Sequence, residues 1–367
     1  MTLQLIGTRL FTRQWLMFLI IVLLLVLPFF LSDFRTNLLG RYIAFAILVL
    51  GLDLLWGYTG VLSLGHGIFF GLGAYIMAMY LSLEGMTGAV PDFMLWNGIT
   101  GLPLLWQVFS NPFIAIIGAV TIPMLIASLL AFFTFRNRIK DVYFTILTQA
   151  LVLVMVTLIV SQQSITGGTN GLTGFSTIFG YSLSSASTQQ VLYYLTLGCL
   201  ILVFLLCAAL VNSRFGRALV AIRDGENRLR FSGYDTSMFK VAIFTLSAGI
   251  AGLAGMLYVL QVGMITPSMI GIIPSIEMIL WVAIGGRGTL IGPVIGALVT
   301  NSAKTFFSES HPEAWLYLLG TVFVVIVLFL PGGIMSLLRK WRKEGERNES
   351  DGVKRTEREE THRSQVS

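Results

Sequence analysis

Charge is scarce in this 367-residue chain: Asp, Glu, Lys and Arg together make up 11% of it, where soluble domains carry about 25%. With 55% hydrophobic residues and a mean hydropathy of +0.82, that scarcity excludes a soluble globular protein and implies a polytopic membrane protein. Cysteine is scarcer still. Cys199 and Cys207 lie in one apolar run, where a helix would hold them about 12 Å apart, too far for a disulfide. No G-x-x-x-x-G-K-[ST] loop occurs, so the chain cannot bind and hydrolyse ATP by the P-loop route, and an ATP-driven role needs a separate subunit. Ser63 and His66 are close in sequence but lack a positioned third group and an oxyanion site. No catalytic residue, metal ligand or bound cofactor is expected, and the net charge of +6 reflects membrane anchoring rather than nucleic acid.

What is present is apolar sequence of spanning length. Such windows fall near 15–32, 40–56, 60–83, 112–135, 141–161, 189–212, 241–262 and 315–332, with a glycine-interrupted stretch over 274–304. The first window follows Arg9 and Arg13 and has no small-residue cleavage site after it, so it reads as a first transmembrane helix. Arg136, Arg138 and Lys140 share one connection, and Arg214, Arg217, Arg223, Arg228, Arg230 and Lys240 share another. Placing these inside leaves only Arg35, Arg41 and Lys304 on the opposite face. The stretch 274–304 must then enter and return, either as two short helices (274–285 and 290–304) turning at GGRGT or as a re-entrant hairpin. The expected fold is an all-α integral membrane protein of about ten segments, some short or broken, with both termini cytoplasmic. Residues 1–338 form the membrane domain with a cytoplasmic loop at 213–240, and 339–367 a disordered charged tail.

Inside the predicted membrane the ionisable residues are Asp53, His66 and Glu277. Such groups are costly in hydrocarbon and are by default pathway candidates or buried packing partners. Glycine is concentrated in GYTGVLSLGHGIFFGLGAY (Gly57–Tyr75). Ser63, Gly67 and Gly71 fall at i, i+4 and i+8, as do Gly288, Gly292 and Gly296, followed by Thr300. A third stripe is Ser247, Ala251 and Gly255. Small residues on one stripe let helix backbones approach closely, and glycine-interrupted helices also line transporter pathways. The connection Ser213–Lys240 reads as an amphipathic helix over 214–224. Phe215, Leu219 and Ile222 share one face, Arg214, Arg217 and Asp224 the other, and Gly225 suits the stop. Asp224 and Glu226 suit a protein partner better than a lipid surface.

GYTGVLSLGHGIFFGLGAY, GRALVAIRDGENRLRFSGYD with the following FTLSAGIAGLAG, and GGRGTLIGPVIGA occur in that order. The chain in this respect resembles the integral permeases of bacterial ABC importers for branched-chain amino acids and urea, over roughly residues 40–335. The resemblance implies an inner-membrane permease subunit, half of a heterodimeric pathway with a second homologous permease, served by cytoplasmic ATP-binding subunits and a periplasmic or lipid-anchored solute-binding protein. It also implies that the 213–240 loop holds the ATPase-coupling helix, carried by Arg214, Gly216, Arg217, Ala218, Ala221, Asp224 and Glu226. LDLLWGYTG ahead of LSLGHG, with GGTNGLTGF, is more similar to the urea branch than to the amino-acid branch. A passive small-solute channel is the contrasting expectation, and it would have no need of a docking helix.

Overall fold

The computed structural model describes residues 17–84, 86, 90–139, 141–310, 314–329 and 332–336. Arg9, Arg13, Lys140 and the predicted tail at 339–367 lie outside the described residues. Among the described residues, six helices are long and apolar enough to cross a membrane. They are α2 (Asp33–Asp53, prolonged by a π turn over Leu54–Thr59), α3 (His66–Glu84), α6 (Pro112–Arg136), α7 (Asp141–Ser161), α9 (Ala186–Asn212) and α11 (Thr236–Val262). Beside them stand the shorter α1 (Met17–Phe29), α12 (Ile272–Gly285) and α14 (Ala314–Phe329), and the less apolar α13 (Ile291–Ser310). The expected division of 274–304 is therefore found as a helical pair, with α12 only about 21 Å long at 1.5 Å per residue.

Local chemistry sets the helix ends. Asn111 caps α6 by accepting from the Phe113 amide at 2.9 Å, and Pro112 stands at the first helical position, where its missing N–H costs nothing. The Ser213 hydroxyl accepts from the Gly216 amide at the start of α10 (Arg214–Phe231). Asp235 accepts from the Ser237 amide at the start of α11. Gly263, at φ +71°, closes α11 in the left-handed region.

α11 is the central column and packs against α2, α3 and α6. Its glycines permit the approach: a Cβ at Gly255 would strike the Phe70 carbonyl of α3, and one at Gly252 the Ala119 carbonyl of α6. Facing it, α6 presents Ala115, Ala119, Pro123, Ala127 and Ala131, all buried at four-residue spacing. In α2, α3 and α11, 72–83% of the apolar window is buried, against 17–28% in α6, α7 and α9. The first three form the interior, and the others turn large apolar side chains outward.

Not everything is helical, contrary to the all-α expectation. At the end of the bundle away from α10, β1 (Leu172–Thr173) pairs antiparallel with β4 (Met264–Ile265), Leu172 opposite Ile265. There too β2 (Thr177–Ile178) pairs with β3 (Tyr181–Ser182). The second hairpin turns through Phe179 and Gly180, both at positive φ, the geometry that matches strand twist. These pairs arise where polar, glycine-bearing connections cannot bury an apolar stripe and satisfy their backbone groups with one another instead. α4 (Asp92–Trp96), α5 (Leu104–Val108) and α8 (Gln163–Thr166) are short helices in the same connections.

Candidate functional site

Two sites stand at opposite ends of the interior. At the α10 end, α2 widens into the π turn, a departure that recurs at functional positions. Asp53, fully buried, accepts from the amides of Gly288 at 2.6 Å and Leu290 at 3.1 Å. A buried carboxylate is tolerated when amide donors replace its water. These bonds hold the Gly286–Leu290 turn between α12 and α13, in which Gly286, Gly288 and Leu290 all have positive φ. Thr289 ties the turn off, its hydroxyl donating to the Gly286 carbonyl and accepting from the Gly292 amide. Gly57 sits so close that a Cβ would collide with the Asp53 carboxylate and the Gly288 amide. The Arg223 Nη1 donates to the Gly57 carbonyl at 2.7 Å, while its Nε pairs with Asp224 at 3.0 Å. One guanidinium thus joins α10 to the end of α2, directly over the turn. Arg287 stacks on Trp56 beside it, 5.5 Å from the ring centre.

The remainder of α10 is anchored separately. Gly225, with extended backbone, breaks the helix. Beyond the break, Glu226 accepts from Arg230 at 3.0 Å, from Lys240 at 2.9 Å and from the Thr236 hydroxyl at 2.9 Å. Burial alone would raise the Glu226 pKa, but Lys240, Thr236 and Arg230 together bring it below the ordinary carboxylate value.

At the other end, Phe45, Phe70, Tyr258 and Trp281 surround a cleft of about 120 Å³. Glu277, Asn301 and Lys304 add polar groups to the wall, and Met269, Pro274 and Met278 complete it. Phe45 packs on Phe70, Tyr258 and Trp281 at ring separations of 5.9, 5.0 and 4.8 Å. Both Glu277 oxygens accept from the Lys304 ammonium, at 2.9 and 2.8 Å. The Glu277 side chain is 9% exposed and that of Lys304 39%, so the pair opens on one side. The arrangement is a small aromatic chamber with an amide, a carboxylate and an ammonium at its rim. It can receive a compact solute that both stacks and hydrogen-bonds.

Residues 34–328 match the family described as branched-chain amino acid transport system / permease component. The chain belongs to that family. As such it is a multi-pass permease of the bacterial inner membrane. It is similar to the high-affinity branched-chain amino acid transport system permease protein LivM of Salmonella typhimurium, 23% identical with 87% of this chain and 74% of the relative covered. The Escherichia coli LivM is 24% identical over the same shares. The probable branched-chain amino acid transport permease protein LivM of Methanocaldococcus jannaschii is 24% identical, covering 79% of this chain and 89% of the relative. No solved structure matches.

In this permease the sequence-selected residues separate into distinct roles. Asp53 is the anchor of the 286–290 turn. His66 is buried, with Nε2 2.7 Å from the Ser247 hydroxyl. Because that hydroxyl donates to the Gly51 carbonyl, Nε2 must donate, and Nδ1 is a buried acceptor without a partner among the described residues. Ser63 and Gly288 correct the expected stripes: α3 begins only at His66, so Ser63 lies in the preceding loop, and Gly288 lies in the turn before α13. The remaining small residues do pack. A Cβ at Gly67 would meet Ser275 and the Ile270 carbonyl, one at Gly71 the Ile270 side chain, and those at Gly292 and Gly296 the backbone of α12.

On α10, Arg214, Arg217 and Asp224 are exposed, and Ala218 and Ala221 are half-buried. Gly216 is buried at the tight turn from α9, where a Cβ would strike the Leu210 and Val211 carbonyls. Glu226 faces inward, committed to the network above. Sequence reasoning missed Arg223 as a contact, Lys304 as the partner of Glu277, and the aromatic chamber. Lys304 was legible only as a basic residue on the sparsely charged face. Nothing in the spacing could have shown that the α12–α13 turn brings it to Glu277.

Proposed function

We propose that this permease is half of an ATP-driven, binding-protein-dependent importer of urea, with α10 as its coupling helix. In this reading the ten helices α1, α2, α3, α6, α7, α9, α11, α12, α13 and α14 alternate across the membrane with both termini cytoplasmic. Support comes from charge: Arg136, Arg138, Arg287 and the basic residues of α10 gather at one end, leaving Arg35, Arg41 and Lys304 at the other. A solute-binding protein delivers at the chamber end, and a second homologous permease completes the pathway. Residues 1–338 act as the permease domain and 339–367 as its cytoplasmic tail.

A single observation carries the coupling assignment: Arg223 of α10 is bonded to Gly57, which abuts the Asp53 anchor of the α12–α13 turn. Motion of α10 in an ATPase groove then moves the cytoplasmic ends of α2, α12 and α13 together. Arg214, Arg217, Ala218, Ala221 and Asp224 offer the docking face. Gly216 and Glu226 set the angle of α10, and Phe231, 92% exposed beyond the break, extends the surface. A passive channel gives such a linkage no purpose.

The urea reading is supported by the sequence stretches of the urea branch and by the size of the chamber, which lies below the roughly 300–1,000 Å³ of sites for larger ligands. It is also favoured by charge already committed, Asp53 to backbone amides and Glu277 to Lys304, which suits a neutral solute. The second reading, a branched-chain amino acid or short amide as cargo, is favoured by the names of the relatives and by the paired charges at an apolar chamber, which could receive a zwitterion. Uptake of labelled urea and labelled leucine by a strain lacking this gene decides between them. Loss of urea uptake alone upholds the first reading, and loss of leucine uptake alone replaces it with the second.

A further inference from the structure

A cavity of about 450 Å³ lies where the end of α6 meets the start of α11, lined by Arg136, Arg138, Arg230, Tyr234, Thr236 and Ser237 among others. Arg230 is engaged by Glu226, and Asp235, the acid on this wall, caps α11. Arg136 and Arg138 form no ion pair among the described residues, and Arg138 is held at φ 55° in the turn that follows α6. The guanidinium of Arg136, 5.9 Å from the Phe132 ring centre, that of Arg138 and the start of α11 therefore border one space. Its depth is fixed by the two helices, whose apolar windows qualify both to cross the membrane, so the cavity lies at the level of the headgroups. Leading to it along α6 is a stripe of exposed apolar side chains, Leu125, Leu129, Phe132 and Phe133, one helical face that ends at Arg136.

We infer that this cavity binds the phosphate of an anionic phospholipid, whose acyl chains lie along that face of α6. The continuity of apolar stripe and basic cavity favours a lipid over free phosphate, which would use only the cavity. Arginine forks suit phosphate oxygens, and basic cavities beside the cytoplasmic ends of membrane helices bind anionic headgroups. Because Arg230 and Thr236 also serve the Glu226 network, an occupied cavity would brace the joint between α10 and α11. The inference does not depend on which solute is carried.

The test uses the complete purified importer in nanodiscs of phosphatidylcholine, with and without phosphatidylglycerol, reading retained lipid by mass spectrometry. Expected is tight retention of phosphatidylglycerol by the natural protein, weakened about 30-fold by R136Q together with R138Q. R136K with R138K should keep most of it, because each lysine preserves a charge, which separates charge loss from misfolding. Three results would overturn the inference: equal retention by the glutamine variant, displacement of the lipid by inorganic phosphate, or loss of the ATPase subunits from the glutamine variant with lipid retention unchanged. The last would make the cavity a protein interface.

Discussion

The two ends of the interior are built on opposite principles. At the α10 end the polar groups of the joint are engaged: Asp53 on two amides, Thr289 on a carbonyl and an amide, Arg223 on Gly57 and Asp224. Glycines remove the space between the parts. At the chamber end, aromatic rings leave a void and a half-open ion pair stands at its edge. A joint that must transmit displacement gains from close packing and satisfied bonds, because packed interfaces shift as units rather than deform. A chamber that must load and release gains from room and from contacts it can exchange with a solute. Under the proposed function, transmission and reception are therefore separated along the same helices, α2, α12 and α13.

The largest break in that contrast is at the joint itself. Asp53→Ala strands the Gly288 and Leu290 amides in the interior, at about 1–3 kcal/mol each. Little folded permease should survive detergent extraction, as read by size-exclusion chromatography. Asp53→Asn, which keeps an acceptor, should recover part of it. Next comes the helix crossing: Gly255→Leu drives a side chain into the Phe70 carbonyl, and overpacking of this kind costs about 1–3 kcal/mol. Thermal unfolding of the purified protein should drop by several degrees.

At the chamber the expected effect on stability nearly vanishes. Glu277→Gln combined with Lys304→Met removes both charges while keeping volume, and replacing both partners of a pair whose carboxylate is buried is often close to neutral for stability. Stability should barely change and solute uptake should persist, whereas a large loss of solute uptake would make the pair part of the cargo site. The smallest effect belongs to Glu226. Its pKa lies lower in the folded protein than in the unfolded chain. Its network therefore stabilises the fold above the ordinary carboxylate value, and this is lost as pH falls through the lower folded value. The α10–α11 joint should loosen only in acid, seen as faster amide exchange across 226–240, and Glu226→Gln should abolish that pH dependence.

How much of this was legible in the sequence follows from the range of each interaction. Hydropathy located the six helices that are long and apolar enough to cross a membrane, because spanning length and apolar content are local properties. The break at Gly225 and the apolar face of Leu219 and Ile222 were readable for the same reason. The glycine stripes announced close packing but not their registers: Ser63 and Gly288 matched the helical period only until the helix starts at His66 and Ile291 removed them. The four short strands carried no periodic signal at two residues each. Asp53 was identifiable as a costly group, yet its partners lie 235 and 237 positions away. Arg223 looked like one basic residue among several, and only folding revealed it as the one that reaches α2.

The most direct test of the separation between joint and chamber is the ratio of ATP hydrolysis to solute uptake by the complete importer carrying Arg223→Ala in proteoliposomes. Losing a hydrogen bond from a charged donor costs about 1.5–3 kcal/mol, so uptake should fall about tenfold or more while hydrolysis continues and solute affinity is unchanged. Arg223→Lys should restore part of the uptake. If hydrolysis and uptake instead fall together in proportion, or if uptake is unaffected, Arg223 does not link α10 to the pathway.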